Sequence, residues 1–427
     1  MSLIFHIDVN SAYLSWSAME RLGKDESAVD LRTVPSIIGG DEKSRHGVVL
    51  AKSIPAKKYG VRTGEPVAAA LRKCPSLLII PPDHALYSKM SRRLMNLLHS
   101  YTSDIEQVSI DECYMDFTPI ARQFSSPLSA ARTIADRIKT ELGFTVNIGI
   151  APNKLLAKMA SDFEKPDKVH TLFQDEIPDK LWPLPVGELF MVGHSSAERL
   201  MQLGIRTIGE LAHTDPDFLQ LHFKSHGKLM WEYANGIDHS PLNVDSHTLK
   251  GIGNSTTLSA DVTTAEEAKQ ILLALSEQVG ARLRKSHQLA QTVTVEIKYN
   301  TFQSCSRQMP LATPGSSSGV LYEYACRLFD ELWNRTPIRL LGIRTSKLLP
   351  EDAPVQLSLF DMGIVSFEEP AGKQTSGKPA PAFRHINPEK QKKLDEAMDR
   401  IRQKYGKDAV VRGSLMKKQK KGPDDLT

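Results

Sequence analysis

The sequence predicts an α+β protein of several domains, and three observations carry that reading. The chain has 427 residues, and a single hydrophobic core stops growing beyond about 250 to 300 residues, which implies two to four domains. Runs of strand length and segments of helical periodicity both occur along it, so neither an all-α nor an all-β pattern fits. With 41% hydrophobic and 24% charged residues, 26 Gly and 25 Pro, the composition is that of ordinary globular domains and excludes wholesale disorder, collagen and mucin-like stalks.

Taken in order, Leu3–Ile7 is a short apolar strand ending at Asp8, and a helical stretch begins near Ser11. Ile105 to Phe117 reads as a second extended stretch with Ser109, Ile110, Asp111 and Glu112 in its middle. A third strand, Thr145 to Ala151, passes through Pro152 into a helix, Asn153 to Ser161, with Leu156 and Ala160 on one face. Proline is tolerated there because the first amides of a helix have no intrahelical partner.

From Leu184 the chain reads as a small helical unit. Its segment Val192, Gly193, His194 to Leu200, then Leu203, Gly204 and Ile205, resembles a helix-hairpin-helix, a turn that aims backbone amides at phosphate. Asn235 to Asp245 is polar, with Gly236 and Pro241, and is expected to be a linker. Thr264 and Glu267 form a capping box before a helix with the stripe Ile271, Leu275, Val279 and Leu283. Gln291 to Tyr299 alternates as a half-buried antiparallel strand. A helix over Gly319 to Trp333 and a strand over Arg339 to Leu348 complete an independent α+β domain. Beyond Pro350 the pattern becomes linker, apart from a late helix near Pro388 to Tyr405.

No apolar run approaches the roughly 18 to 20 residues that cross a bilayer, and Ser76 to Ile80 is broken by Pro81 and Pro82. Met1 to Val9 has no basic n-region and its apolar run ends in Asp8, so no secretory signal is expected. Cys74, Cys113, Cys305 and Cys326 lie far apart, which suggests neither a zinc site nor a disulfide framework and fits a reducing cytoplasm. The net charge of +4 leans toward a polyanionic partner. Basic residues gather at Arg282, Arg284 and Lys285, at Arg335, Arg339, Arg344 and Lys347, and at Lys417, Lys418, Lys420 and Lys421, where each group also suits a solvated face.

Asp8, Asp111 and Glu112 sit at or within strands that could be neighbours in one sheet. Crowded carboxylates stay ionised only if cations neutralise them, and hard oxygen ligands favour Mg²⁺. Spacing alone equally allows ordinary strand-end acids.

The surrounding residues add a resemblance. Ser109-Ile110-Asp111-Glu112-Cys113-Tyr114-Met115-Asp116 is similar to the central motif of the Y-family DNA polymerases. Asp8-Val9-Asn10-Ser11-Ala12-Tyr13 resembles their N-terminal motif, Pro55 to Val61 their fingers motif, and Asn153 to Pro166 their palm helix ending in Lys-Pro. The resemblance covers residues 1 to 350 and groups the chain with bacterial polymerase IV and the polymerase V catalytic subunit. It implies an error-prone translesion DNA polymerase that acts in the SOS response, uses two Mg²⁺ ions, adds dNTPs to primer-template DNA as a cytoplasmic monomer and lacks proofreading. The implied fold is a right hand with a mixed palm sheet, small fingers, a helical thumb and a little finger. Its implied divisions are palm 1–12 and 79–172, fingers 13–78, thumb 173–240, linker 241–249, little finger 250–349 and tail 350–427.

Carried over residue by residue, Asp8 and Asp111 would bridge both ions, Glu112 would hold the one at the primer terminus, and the Val9 carbonyl would complete the nucleotide side. Tyr13 matches the steric gate against ribose, Leu50 the roof over the nascent base pair, and Lys57 and Lys165 cations that contact the triphosphate. Gly193, His194, Lys298 and Arg344 are expected at the DNA. Gln356-Leu357-Ser358-Leu359-Phe360 looks like the peptide that docks bacterial polymerases on the sliding clamp, an extended segment seated in an apolar pocket. Departures are Ile54 where the family often has a triphosphate-binding Tyr, Met191 where the thumb motif usually has Gly, and Lys168 where Gly often follows Lys-Pro. Two other classes share parts of this pattern: a palm-type nucleotidyl cyclase, which needs neither hairpin nor clamp peptide, and an inert DNA-binding accessory protein, which needs a lost carboxylate.

Overall fold

Phe5, Ile7 and Val9 alternate with Ile4, His6 and Asp8 along the first strand, β1 (Ile4–Val9), giving it one apolar face and one mixed face. The computed structural model, which describes residues 2–40, 47–244, 249–353, 388–406, 409–410 and 413, places β1 in the middle of a five-stranded sheet. The chain divides into two units, Met1–His247 and Thr248–Thr427.

In the first unit β1 is followed by α1 (Ala12–Lys24), β2 (Ser36–Gly39), β3 (Val49–Lys52), α2 (Ile54–Lys58), α3 (Val67–Lys73), β4 (Leu78–Ile80) and α4 (His84–His99). Then come β5 (Ile105–Gln107), β6 (Glu112–Asp116), α5 (Pro127–Leu142), β7 (Val146–Ala151), α6 (Lys154–Asp162) and β8 (Val169–Thr171). The large sheet has the order β5-β6-β1-β7-β8, antiparallel except for β7 with β8, and a small sheet has the order β3-β2-β4. The extended stretch expected over Ile105–Phe117 is a hairpin instead. Val108 and Ser109 both donate backbone N–H bonds to the Glu112 carbonyl, at 3.1 and 3.2 Å, and the chain turns back before β6.

Phe5 and Ile7, with Cys113, Met115, Ile148 and Ile150 of the flanking strands, bury their face in a core shared with α4 and α5. The opposite face carries His6, Asp8, Glu112, Tyr114, Asn147 and Gly149, and α6 lies across it. Asn153 caps α6 by accepting the Leu156 N–H at 2.9 Å, and the apolar residues of α6 pack into a second core with the helices that follow. Those helices are α7 (Ile177–Lys180), α8 (His194–Gln202), α9 (Ile208–Ala212), α10 (Pro216–Phe223) and α11 (Ser225–Ala234). The polar segment after α11 begins tied down: Gly236 accepts from the Asn153 side chain at 2.9 Å, Asp238 from the Leu155 N–H at 3.0 Å, and the Asn243 N–H reaches Glu106 at 2.9 Å.

The second unit contains β9 (Gly251–Val262), α12 (Ala265–Lys285), β10 (Gln288–Tyr299), β11 (Ser304–Gly315), α13 (Ser318–Leu332), β12 (Ile338–Pro350) and α14 (Pro388–Tyr405). Its antiparallel sheet, β11-β10-β12-β9, buries Val293, Val295, Ile297, Leu341 and Ile343 under α12 and α13. Thr264 caps α12 through the Glu267 N–H at 3.4 Å, but the reciprocal half of the expected capping box is not formed. The late helix docks on α12: Arg284 grips Asp399 through Nε at 2.6 Å and Nη2 at 3.1 Å, and Arg402 meets Glu277 at 2.9 Å. Among the described residues, no helix is long and apolar enough to cross a membrane.

The approach of α6 to the sheet depends on Gly149. A Cβ built there would fall onto the Ala157 carbonyl oxygen and the Ser161 amide nitrogen, backbone atoms that cannot rotate away. Gly149→Ala is therefore expected to destabilise the protein by about 1 to 3 kcal/mol or more. Chemical denaturation checks this, and Ala151→Gly, further along the same strand face, should cost less.

Candidate active site

The register of β1 with β6 sets Asp8 directly opposite Glu112, and the Val9 N–H donates to the Asp111 carbonyl at 3.0 Å. The two carboxylates of the facing strands and that of Asp111 therefore stand at one end of the sheet. Like charges directly opposite one another are destabilising unless something compensates.

Compensation comes from α6 and the turn after it. Lys158 Nζ lies 3.1 Å from Glu112 Oε2 and 3.4 Å from Asp162. Lys165 Nζ pairs with Asp8 and, at 2.8 Å, with Asp162. Asn147, fully buried on β7, donates to the carbonyls of Ser161 at 3.0 Å and Glu164 at 2.6 Å, which fixes the turn that delivers Lys165. His6 is 1% exposed, with Nε2 3.5 Å from Glu112 Oε2 and Nδ1 2.8 Å from Ser161 Oγ. Burial pushes the His6 pKa down and Lys158 adds to this, while the Glu112 contact and Asp8 oppose it.

The carboxylates differ accordingly. The His6 hydrogen bond, reinforced by Lys158, outweighs burial and lowers the Glu112 pKa to about 2. Burial raises the Asp111 pKa, opposed by a 2.7 Å hydrogen bond from Ser109 and assisted by repulsion from Asp8 and Glu112. For Lys165, burial opposes the charge, but Asp8 and Asp162 together outweigh it and raise the pKa. Among the described residues, no three His, Cys, Asp or Glu side chains converge closely enough to hold a metal ion, because each carboxylate here turns to its own protein partner. Their chemistry and backbone placement nonetheless suit a hard divalent cation: oxygen donors at adjacent strand ends.

Asp111 and Lys165 open onto a cleft of 510 Å³ whose other wall is β3 and α2. Tyr13, half-buried, stacks face to face on Tyr87 with centroids 4.3 Å apart and planes 7° from parallel. Burial raises its pKa, with Asp111 and Tyr87 adding, so the phenol remains neutral. Leu50 lines the cleft from β3 and Lys57 from α2, whose cap Ser53 accepts the Ala56 N–H at 3.1 Å. Arg32 and Lys52 line it too, although only Lys57 and Lys165 were expected there. Burial and the nearby Lys57 lower the Lys52 pKa, the signature of a cation among cations. The first turn of α1 also borders the cleft, and its N-cap, Ser11, makes no side-chain capping bond, which leaves amide donors for an anion. Ile54 is 51% exposed at the rim, where an aliphatic group offers no hydrogen bond.

The remaining expected residues lie elsewhere. Gly193 caps α8 without a side chain, and His194 is exposed beside Glu198 at 3.5 Å. Met191, just before them, has φ +69° and is 56% exposed, a backbone region in which glycine is unstrained. In the second unit, β10 and β12 bring Lys298 and Arg344 onto the sheet face opposite α12, Arg344 across from Thr294. Lys298 and Arg339 both sit over the Phe302 ring, 5.4 and 4.8 Å from its centroid. Gln356, Leu357, Leu359 and Phe360 lie outside the described residues.

Sequence reasoning passed over His6, Asn147, Lys158, Ser161, Arg32 and Lys52. A period-two reading from Asp8 finds His6, and a helical reading of α6 puts Lys158, Ser161 and Asp162 on one side.

A profile of the impB/mucB/samB family matches residues 7–162, and one of the C-terminal domain of that family matches residues 249–359. A DNA polymerase IV of Clostridium acetobutylicum is 48% identical over 98% of this chain and 99% of its own. DNA polymerase IV 1 of Bacillus subtilis is 37% identical over 98% of this chain and 94% of its own. A solved Y-family DNA polymerase chimera, Dbh-Dpo4(243-245)-Dbh, superposes with a TM-score of 0.71 at 23% identity, covering 82% of this chain and 99% of that one, which supports the right-hand α+β fold. The chain thus belongs to the impB/mucB/samB family, the Y-family of translesion DNA polymerases.

Proposed function

We propose that this protein is a template-directed DNA polymerase that adds dNTPs to a primer 3′ end past damaged template bases, using two Mg²⁺ ions and no proofreading. The observation that carries this reading is that Asp111, beside the Asp8–Glu112 strand pair, opens onto a cleft lined by Arg32, Lys52, Lys57 and Lys165. Carboxylates for divalent metal beside cations for a triphosphate are what phosphoryl transfer requires, since its catalysis is positioning and charge neutralisation. A cyclase would need the same metal end but offers no reason for the Y-family C-terminal domain matched at 249–359.

In this reading residues 1–12 and 79–172 act as palm, 13–78 as fingers, 173–240 as thumb, 241–249 as linker and 250–349 as the little finger that grips DNA, with a docking tail from 350. Asp8, Asp111, Glu112 and the Val9 carbonyl would hold the ions, which when bound neutralise charge on the reacting phosphoryl oxygens. Lys57, Lys165, Arg32 and Lys52, with the open amides of α1, would bind the triphosphate. Leu50 would cover the nascent base pair and Tyr13, backed by Tyr87, would exclude a ribose 2′-hydroxyl. Gly193 and His194 would meet DNA phosphate at the thumb, and Lys298 and Arg344 at the open sheet face. The enzyme would act in the cytoplasm as a monomer within the SOS response to DNA damage, tethered to the sliding clamp by Gln356 to Phe360.

Primer extension on undamaged template with and without Mg²⁺ separates polymerase, cyclase and inert binder. Asp8→Ala, Asp111→Ala and Glu112→Ala should each lower incorporation by a few orders of magnitude, as loss of several kcal/mol of transition-state stabilisation implies, while DNA binding persists. Near-normal incorporation by Asp111→Ala during a metal titration rejects the assignment.

Tyr13→Ala should raise ribonucleotide relative to deoxyribonucleotide incorporation roughly tenfold to a hundredfold, because steric overlap in a packed site costs about 1 to 3 kcal/mol. Single-nucleotide kinetics with matched dNTP and rNTP decide it, and an unchanged ratio places sugar selection elsewhere. Deleting residues 356–360 should leave basal synthesis intact and abolish stimulation by the clamp, since tethering acts through effective concentration. Equal stimulation of both proteins would refute the docking role.

A further inference from the structure

We propose that Lys158 is a built-in counter-cation that holds Glu112 in place of a metal ion and moves to Asp162 when the metal binds. The inference rests on the two-metal reading above and extends it to a residue that neither that reading nor the family resemblance assigns. Lys158 Nζ is within ion-pair reach of both Glu112 Oε2, at 3.1 Å, and Asp162 Oδ2, at 3.4 Å, so a small rotation of its side chain gives up the first contact and keeps the second.

The geometry around this pair is specific. Glu112 is held on a second side by His6, which is itself fixed by Ser161, and Ser161 Oγ also bonds the Lys158 carbonyl at 2.8 Å. Backbone and partner are thereby locked, and the movable part is the Lys158 side chain. Lys158 is 16% exposed and Glu112 24%, so their attraction is less screened than at an open surface. Asp162 is paired with Lys165 as well, at 2.8 Å, and Lys165 also holds Asp8. The result is an alternating chain of charge, Glu112, Lys158, Asp162, Lys165 and Asp8, in which Asp162 is the receiver for both lysines.

Two consequences follow from electrostatics. The crowded carboxylates are neutralised within the protein, which keeps the opposed Asp8–Glu112 pair from destabilising the sheet. A divalent ion must then displace an ammonium group to reach Glu112, so Lys158 weakens metal binding while Asp162 strengthens it. A lysine serving only the packing of α6, or only phosphate, would not couple to metal with that pair of opposite signs.

The test measures Mn²⁺ alone, by electron paramagnetic resonance of the free ion, on the full chain without DNA or nucleotide. Lys158→Met should bind Mn²⁺ roughly twofold to tenfold more tightly than the unaltered protein, the span expected of one partly screened ion pair. Its melting temperature should also rise more on adding Mn²⁺. Lys158→Arg should bind as the unaltered protein does, and Asp162→Asn should bind more weakly. Both of these also test the proposal if Lys158→Met fails to fold. Equal affinity in Lys158→Met and the unaltered protein, or a shift of Asp162→Asn toward tighter binding, overturns the counter-cation role while leaving the two-metal reading standing. If Asp111→Asn leaves Mn²⁺ binding of the unaltered protein undiminished, the two-metal reading falls, and this proposal with it.

Discussion

The antiparallel pairing of β1 with β6 is the constraint on which the rest of the site depends. Side chains alternate with period two, so the register that opposes Asp8 to Glu112 also puts Phe5, Ile7, Cys113 and Met115 into the core. A slip of one residue would turn the acids into the apolar core and the apolar set toward α6 and its polar partners, so the hydrophobic core enforces the placement of the carboxylates. The cost is a concentration of negative charge, and α6 offsets it by laying Lys158 and the Lys165 turn across the same face. That approach in turn needs Gly149 on β7, where no side chain fits beneath the Ala157 carbonyl. Core, charge and helix approach are thus one coupled requirement.

The cleft beside this sheet end has the opposite sign. Arg32 is braced by Asp30 through Nε at 2.9 Å and Nη2 at 2.8 Å and also donates to the Gly143 carbonyl at 3.2 Å, so one cation is held in place by the fold. Lys52 is steadied by Thr63 at 3.2 Å, and burial, with Lys57 adding, lowers its pKa. Gathered cations repel one another, and an anion bound among them would relieve that repulsion, which is why the cleft as a whole supports the proposed triphosphate site better than any one lysine does. The acid of the lining, Asp111, stands just before β6, whereas Lys52 and Lys57 come from β3 and α2, Arg32 from the segment before β2 and Lys165 from the turn after α6.

Much of this was legible in the sequence wherever a local pattern decides the outcome. The strand at Leu3–Ile7, the helix beginning near Asn153, the alternation before Tyr299 and the late helix all follow from local periodicity. The hairpin inside Ile105–Phe117 was not, since it contains no glycine or proline and is made by two amides converging on the Glu112 carbonyl. His6, Asn147 and Ser161 were hidden for a related reason: each is an unremarkable polar residue until the sheet and α6 meet, and only then does burial oblige it to find a partner. Lys158 reads as a surface charge on a short helix, and only the register of β1 with β6 gives it a carboxylate to face.

The sugar selection proposed for Tyr13 shows how rigidity enters. A steric gate works only if the ring cannot retreat, because a side chain that swings aside lowers the cost of overlap. Tyr13 lies flat against Tyr87, which is fully buried and bonded through its hydroxyl to Ser17 at 3.1 Å, with Trp16 packed beside both rings. The route away from the cleft is therefore filled by close-packed aromatic carbon, in which even small displacements are resisted. His84, edge-on to both tyrosines, closes the side toward α4. The discrimination proposed for Tyr13 is in this sense a property of the α1–α4 packing as much as of the residue that would meet the sugar.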